Sequence, residues 1–482
     1  MLRSRSFLCA MLASVALLGS AIAGTGTAAA SKTQTTFFEA PNELLNAATR
    51  PHAILQLKEL GVNAIRVELG WAFVTPGAAA KTRPQFEGKS PSSYDWGQWE
   101  ALVDEAHKLG WKVLLTVGGP APRWATSNKT APYVTKPSDS AFEEFMTAVG
   151  RKFGSEVSQY AIWNEPNEAG NLKPQFNAKG EPEAGRIYRG LFQAGYKGLQ
   201  NAGMKSPTVL MGETSPGGFT KQSYTKLSKA VQGIAGVAPI TFLRSALCLN
   251  EKYKREKQCS SLPASGYSQH PYALDNQGPF DVPSSPEDVT IATIGRLVTA
   301  LNKAAQAGAI KAGLPIYLTE FGVMSKPNKS ADAVSVETQA AYDAIAERVA
   351  WENPRVTAFS QYLLQDDPTS KGGASFQTGI EYSNGAKKPL YFSFPIPLTV
   401  TRTKGGYNLW GYVRPARKTT TVTVLVERQK TKSFTTLQKV KTEPNGYWTL
   451  KSSVKGSYWK VLWTSPEGTK YEGTRIGAYP SP

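Results

Sequence analysis

Eight short apolar runs punctuate the first four-fifths of the chain: TTFFEA (35–40), NAIRVEL (63–69), KVLLTVG (112–118), YAIWNE (160–165), TVLMGE (208–213), GYSQH (266–270), PIYLTEF (315–321) and VTAFSQYLL (356–364). Each has the length of a buried strand. Between them, apolar residues recur at helical spacing. In WEALVDEAHKLG, Trp99, Leu102, Val103 and Ala106 follow the i, i+3, i+4, i+7 rule, and Gly110 supplies a stop. ATRPHAILQLKELG, SAFEEFMTAVGRKFG, EAGRIYRGLFQAGYKGLQNAG, ATIGRLVTALNKAAQAG and VETQAAYDAIAERVAWENP have the same texture. Eight strands alternating with helices over residues 31–397 predict an α/β fold, a (β/α)8 TIM barrel. The rival is an open doubly wound sheet, but no GxGxxG or P-loop turn follows an early strand to support it.

After KKPLYFSFPIPLTVT the period changes. TTTVTVLVERQ, SFTTLQKVKT, GYWTLKSS and SYWKVLWTS alternate apolar with polar, separated by Pro-Asn-Gly and Pro-Glu-Gly turns. Residues 398–482 are therefore read as a small all-β, Ig-like sandwich appended to the barrel.

Composition adds a compartment. The 482 residues are 41% hydrophobic, enough for a large core. Residues 1–30 have the form of a signal peptide: Arg3 and Arg5 make a basic start, FLCAMLASVALLGSAIA an apolar stretch, and Ala28-x-Ala30 a cleavage site. The alternative is an uncleaved membrane anchor, for which the run is short. No other stretch is long and apolar enough to span a bilayer, so the mature chain is expected to be soluble and exported, secreted or associated with the cell wall. Export leaves Cys248 and Cys259, an even number in an oxidising compartment. A disulfide closing CLNEKYKREKQC is expected, two free thiols being the alternative.

The formal net charge is +18, and residues 399–482 carry 15 Lys and Arg against 4 Asp and Glu. A basic terminal domain would attract anionic polymers. In an exported protein these are wall or surface polysaccharides sooner than nucleic acid, for which no binding motif exists. The alternative is a solvated basic face with no ligand.

Chemistry enters at the strand ends, where a (β/α)8 barrel keeps its active site. Glu165 ends the fourth run and Glu320 the seventh, across the barrel mouth from each other. Two carboxyl groups flanking one bond suit glycosidic hydrolysis, one acting at the anomeric carbon and one protonating the leaving oxygen. Arg66, on the second run, could hold one of them ionised.

These residues carry a resemblance. WNEPN at the fourth strand, LTEFG at the seventh, IRVELGWAFVTP at the second, APRWA after the third and HPY after the sixth together resemble glycoside hydrolase clan A, with families 39 and 5 nearest. The resemblance implies a secreted retaining glycosidase acting on a polysaccharide or oligosaccharide, with Glu165 as general acid/base and Glu320 as nucleophile. It further implies that Asn164 contacts the sugar 2-hydroxyl, that Arg66 braces the nucleophile, and that His270 and Tyr272 lie beside it. No cofactor is implied. The clan commonly places a Trp on the eighth strand, where this chain has FSQYLLQDD, so Gln361 or Tyr362 fills that space.

Trp71 and Trp124 fall in loops after strands and are expected to stack on sugar faces; Trp163 is open between that role and core packing. Glu213 is a third carboxylate near the mouth. His52 and His107 lie on helices and are read as surface residues. With His270 alone at a strand end and no paired His or Cys ligands, a transition-metal site is not expected. No Gly-Xaa-Ser-Xaa-Gly elbow marks a serine hydrolase. The sequons at Asn128 and Asn328 matter only after eukaryotic export. Two other readings stay open: a carbohydrate-binding surface protein on a degenerate barrel, and a transglycosylase.

Overall fold

In the computed structural model, residues 31, 34–128, 130–327, 330–368, 375–416, 418–428 and 432–482 are described. The signal segment lies outside the described residues, and each sequon includes at least one residue outside them.

The eight apolar runs form eight parallel strands closed into one barrel: β1 (Thr35–Glu39), β2 (Ala64–Gly70), β3 (Lys112–Gly118), β4 (Gln159–Ile162), β5 (Val209–Thr214), β6 (Gly266–Gln269), β7 (Ile316–Leu318) and β8 (Val356–Tyr362), with β1 pairing both β2 and β8. Helices Arg50–Glu59, Gly97–Lys108, Asp139–Phe153, Ala184–Asn201, Ile294–Gln306 and Val336–Glu352 stand where helical spacing predicts them. Helix Pro239–Ala246 has a polar face of Thr241, Arg244 and Ser245, but its eight residues are too few to establish a helical period in the sequence. His52 and His107 are exposed on their helices.

β4 and β7 stop short of the runs that announced them. Trp163 and Glu165 have φ of 65° and 39°, left-handed values that take the backbone out of the ladder before the acid is reached. The seventh run leaves the sheet after Leu318, two residues before Glu320.

Beyond helix Pro389–Ser393 the chain is antiparallel β structure: β9 (Leu398–Thr403), β10 (Gly406–Tyr412), β11 (Thr421–Glu427), β12 (Phe434–Lys441), β13 (Tyr447–Ser452), β14 (Tyr458–Thr464) and β15 (Lys470–Glu472). They form a three-stranded sheet, β13-β10-β9, and a four-stranded sheet, β12-β11-β14-β15. Val422, Val424 and Val426 alternate inward from β11 onto Trp448, Trp459 and Trp463, giving these sheets a core of their own. The sandwich docks on the barrel through Arg414, which is buried and donates to Glu347 at 2.9 and 3.0 Å and to Thr36 at 2.6 Å. Trp351 packs beside it against Trp410 and Tyr447.

Cys248 and Cys259 form a disulfide with Cα atoms 6.2 Å apart. Among the described residues, no helix is long and apolar enough to cross a membrane.

Candidate active site

Alternation along the strands builds the site in layers. Phe37, Ala64, Leu114, Leu210 and Ala358 meet inside the barrel as an apolar floor. Two residues further on, the same inward face carries Glu39, Arg66 and Thr116, and two further again on β2 comes Glu68. On β5 the pairing register shifts between Gly212 and Thr214, with Gly212 at φ 110° and Glu213 at φ 52°. This bulge aims Glu213 into the barrel. A Cβ on Gly212 would lie 2.4 Å from the Ser268 carbonyl oxygen, so the bend requires glycine.

These inward groups converge on Arg66, whose side chain is fully buried. It donates to Glu39 (2.6 Å), Glu213 (2.6 Å), Glu320 (2.7 Å), Glu68 (3.1 Å) and Asn164 (2.9 Å). Thr116 adds a hydroxyl 3.2 Å from Glu213. His270, at the end of β6, is the second hub: Nδ1 lies 3.1 Å from Glu165 and 3.5 Å from Glu320, while Nε2 lies 3.5 Å from Glu213. Tyr272 donates to Glu320 Oε2 at 3.1 Å, so the two oxygens of Glu320 are held by different donors. The backbone amide of Glu165 donates to the Glu213 carbonyl at 2.9 Å, tying the tip of β4 to β5. Carboxylate oxygens of Glu165 and Glu320 come within 4.8 Å of each other, with His270 between them.

Five carboxyl groups thus face two cations. Burial drives His270 down, but Glu320, Glu165 and Glu213 together push it up to about 10, so at neutral pH it is an imidazolium. Burial would likewise raise Glu213, yet the Arg66 charge and His270 hold it well below the usual carboxylate range. Glu39 moves the opposite way: desolvation lifts it well above its ordinary value despite Arg66, with Glu320 and Glu68 adding to the rise. Glu68 is raised for the same first cause. The acidic triplets Glu165/His270/Glu320 and Glu39/Glu68/Glu320 have metal-like spacing. Arg66 donates to all three carboxylates of the second group, and His270 Nδ1 lies 3.1 and 3.5 Å from the two carboxylates of the first.

Above these residues opens a cleft of about 960 Å³, lined by Glu39, Glu68, Asn164, Glu165, Tyr272, Glu320 and Tyr362 among others. That is the upper end of the range for small-molecule sites. Tyr362 faces this cleft, whereas Gln361 turns inward and donates to the carbonyls of Tyr362 and Thr378, both at 3.0 Å.

The expectation for Trp71 and Trp124 is corrected. Trp71 is 0% exposed, stacked on Phe145 at 5.6 Å, and Trp124 packs edge-on against it at 6.1 Å beneath the Arg83 guanidinium. Neither lines the cleft, because helix Trp71–Val74 begins directly at the end of β2 and turns Trp71 onto helix Asp139–Phe153. Trp163 is also buried, donating to the Asn171 carbonyl at 2.9 Å. The aromatic lining is instead Trp99, Tyr272 and Tyr362 together with Phe73, 65% exposed, and Phe376, 39% exposed and edge-on to Tyr362. Glu39 and Glu68 also line the cleft, and their signal in the sequence is positional: Glu39 closes the first apolar run and Glu68 stands two residues beyond Arg66.

The family model for cellulase (glycosyl hydrolase family 5) matches residues 27–354. Among solved structures, the chain resembles a family 39 glycoside hydrolase from the gut symbiont Bacteroides cellulosilyticus WH2, with 16% identity and a TM-score of 0.51 over 86% of this chain and 78% of that one. It also resembles a glucosidase from Croceicoccus marinus, with 10% identity and a TM-score of 0.51 over 90% of this chain and 96% of that one. At such identities the likeness concerns the fold. No curated protein sequence matches the chain.

Proposed function

The chain belongs to glycosyl hydrolase family 5, the cellulase family, and is a glycosidase, and from that premise we propose an exported enzyme that cleaves a polysaccharide or oligosaccharide with retention of anomeric configuration. The observation that carries this reading is the closeness of the Glu165 and Glu320 oxygens, within 4.8 Å. Retaining enzymes separate their carboxyls by roughly 5–5.5 Å, and inverting ones by roughly 6.5–9.5 Å to admit a water.

In the first step a Glu320 oxygen attacks the anomeric carbon while Glu165 gives its proton to the departing glycosidic oxygen. In the second, Glu165 takes a proton from water, whose oxygen displaces Glu320. Arg66 and Tyr272 keep the Glu320 carboxylate aimed. The His270 imidazolium, beside Glu165 and Glu320, supplies positive charge to a site that acids otherwise dominate.

Export is supported by residues 1–30 and by the disulfide. The basic sandwich is proposed to hold the enzyme at an anionic wall or matrix polymer. Exchanging the exposed Lys439, Lys441 and Lys451 for Glu in the full chain should then weaken retention on isolated wall material; unchanged retention removes that part of the reading.

The catalytic reading is tested by scoring new reducing ends from neutral and acidic polysaccharides with wild type, Glu165→Gln and Glu320→Gln. Each variant is expected to lose on the order of a thousandfold or more. Variants that retain activity, or a product of inverted configuration, would sink the mechanism.

A further inference from the structure

The cleft wall has one sign of charge. Glu39, Glu68, Glu165, Asp275, Glu320 and Asp332 line it, and no described Lys, Arg or His side chain does. Arg66, the nearest guanidinium, has no side-chain exposure and already serves four carboxylates from behind. His270 is likewise fully buried, between Glu165, Glu213 and Glu320.

Four of the six acids have no part in the two-carboxylate chemistry, and two of these four, Glu39 and Glu68, sit beside Glu320. One oxygen each of Glu39, Glu68 and Glu320 fall within 4.8 Å of one another. Arg66 engages Oε2 of Glu39 and Oε1 of Glu68, and no other described side chain donates to either carboxyl. Glu68 keeps 42% of its side chain exposed at the cleft.

The oxygens that Arg66 leaves open on these two carboxyl groups can hydrogen-bond the hydroxyls of a neutral sugar, which both donate and accept. A sugar carrying its own carboxylate would add a negative charge to a wall of acids, while the cations beneath it, Arg66 and His270, are buried and already paired with those acids.

We propose that Glu39 and Glu68 are substrate-binding and specificity-determining residues, which hold hydroxyl groups of a neutral glycan and exclude uronic-acid residues from the cleavage position. The inference rests on the glycosidase reading of this same cleft and deepens it. One consequence is a division of labour along the chain. Anionic polymer drawn to the basic sandwich is not what the barrel cuts.

The test sets neutral cello-, xylo- and manno-oligosaccharides beside oligogalacturonate and oligoglucuronate, using the full-length chain. Wild type should cleave one of the neutral series and neither uronide. Glu68→Gln, at a partly exposed position, should raise KM on that substrate about ten- to a hundredfold, the loss typical of a hydrogen bond to a charged group. Its urea midpoint should fall less than that of Arg66→Met, and its kcat should fall by less than its KM rises. Glu39→Gln should act in the same direction, and if it fails to fold the Glu68 variant decides alone. In the slow variant Glu320→Gln, calorimetry should show binding of the neutral oligosaccharide and none of the uronides. Cleavage or binding of a uronide as good as that of the neutral series, or an unchanged KM in Glu68→Gln, overturns the proposal while leaving the glycosidase reading intact. A wild type that neither binds nor cleaves any of the five overturns that reading, and this inference with it.

Discussion

Arg66 stands between Glu320 and Glu213, with one guanidinium nitrogen 2.7 Å from the first and another 2.6 Å from the second. Glu320 opens on the cleft, whereas Glu213 is wholly buried beneath it. The arginine therefore has two tasks, to aim one carboxylate and to neutralise another that has no access to solvent.

Removing the arginine should expose both tasks at once. Arg66→Met is expected to cost about 3–5 kcal/mol of stability, because Glu213 is left as a buried charge without its partner. Arg66→Lys keeps the charge but cannot reproduce the fork to four carboxylates, and kcat should fall at least a hundredfold. Urea unfolding and turnover on the best oligosaccharide measure the two effects separately. A fully active, fully stable Arg66→Met would contradict the picture.

His270 should make the fold sensitive to alkali. Its folded-state value is pushed up to about 10 from an ordinary 6.5, so its contribution is fully present below about pH 6.5 and is lost as pH climbs toward 10. Wild type should therefore lose stability over that window more steeply than His270→Asn. With only three histidines in the chain, NMR titration can follow the ring directly, and a midpoint near 6.5 would refute the assignment.

Trp71 and Phe73 lie two residues apart and should behave oppositely. Trp71→Ala is expected to cost about 3–5 kcal/mol, the range for a large aromatic removed from a core. Trp71 itself does not line the cleft, so what survives folding should keep its KM. Phe73→Ala should leave the melting temperature almost unchanged and raise KM several-fold for longer oligosaccharides, through loss of a stacking face. The reverse pattern would mean that Trp71, after all, faces substrate.

The barrel and the sandwich should melt together as long as Arg414 is present. Arg414 and Glu347 are 2% and 1% exposed, and Arg414→Met leaves Glu347 buried without its cation, at about 3–5 kcal/mol. Scanning calorimetry should then resolve two transitions in place of one. A single transition at the original temperature would show that the apolar contacts of Trp351 suffice.

Much of this was legible beforehand for a simple reason. A strand buried on both faces is a short apolar run, and a helix lying on a barrel has one apolar stripe, so the eight strands and six principal helices appear in the amino-acid order itself. Residues at the ends of those runs could be singled out because a barrel carries its chemistry there. Glu165, Glu320 and Arg66, read from the strand runs, and His270 and Tyr272, implied by the family resemblance, are linked by hydrogen bonds and close ion pairs. Helix Pro239–Ala246 is not legible because eight residues span barely two turns, too few for periodicity to stand out.

Side-chain direction past a strand end was a different matter. The local sequence around Trp71 and Trp124 is that of an exposed loop, but which way a ring turns depends on helix Asp139–Phe153, contributed from elsewhere in the chain. Glu213 reaches Arg66 only through the bulge at Gly212, a feature of pairing with β6. Sequence by itself determined the alternating architecture, the change to β structure after residue 397 and the pair of strand-end glutamates, because each is a property of short stretches. The convergence of five carboxyls on Arg66 and His270, the burial of the tryptophans and the single sign of charge on the cleft wall were decided by tertiary structure. They depend on distances between residues as far apart as Glu39 and Glu320, which local patterns do not encode.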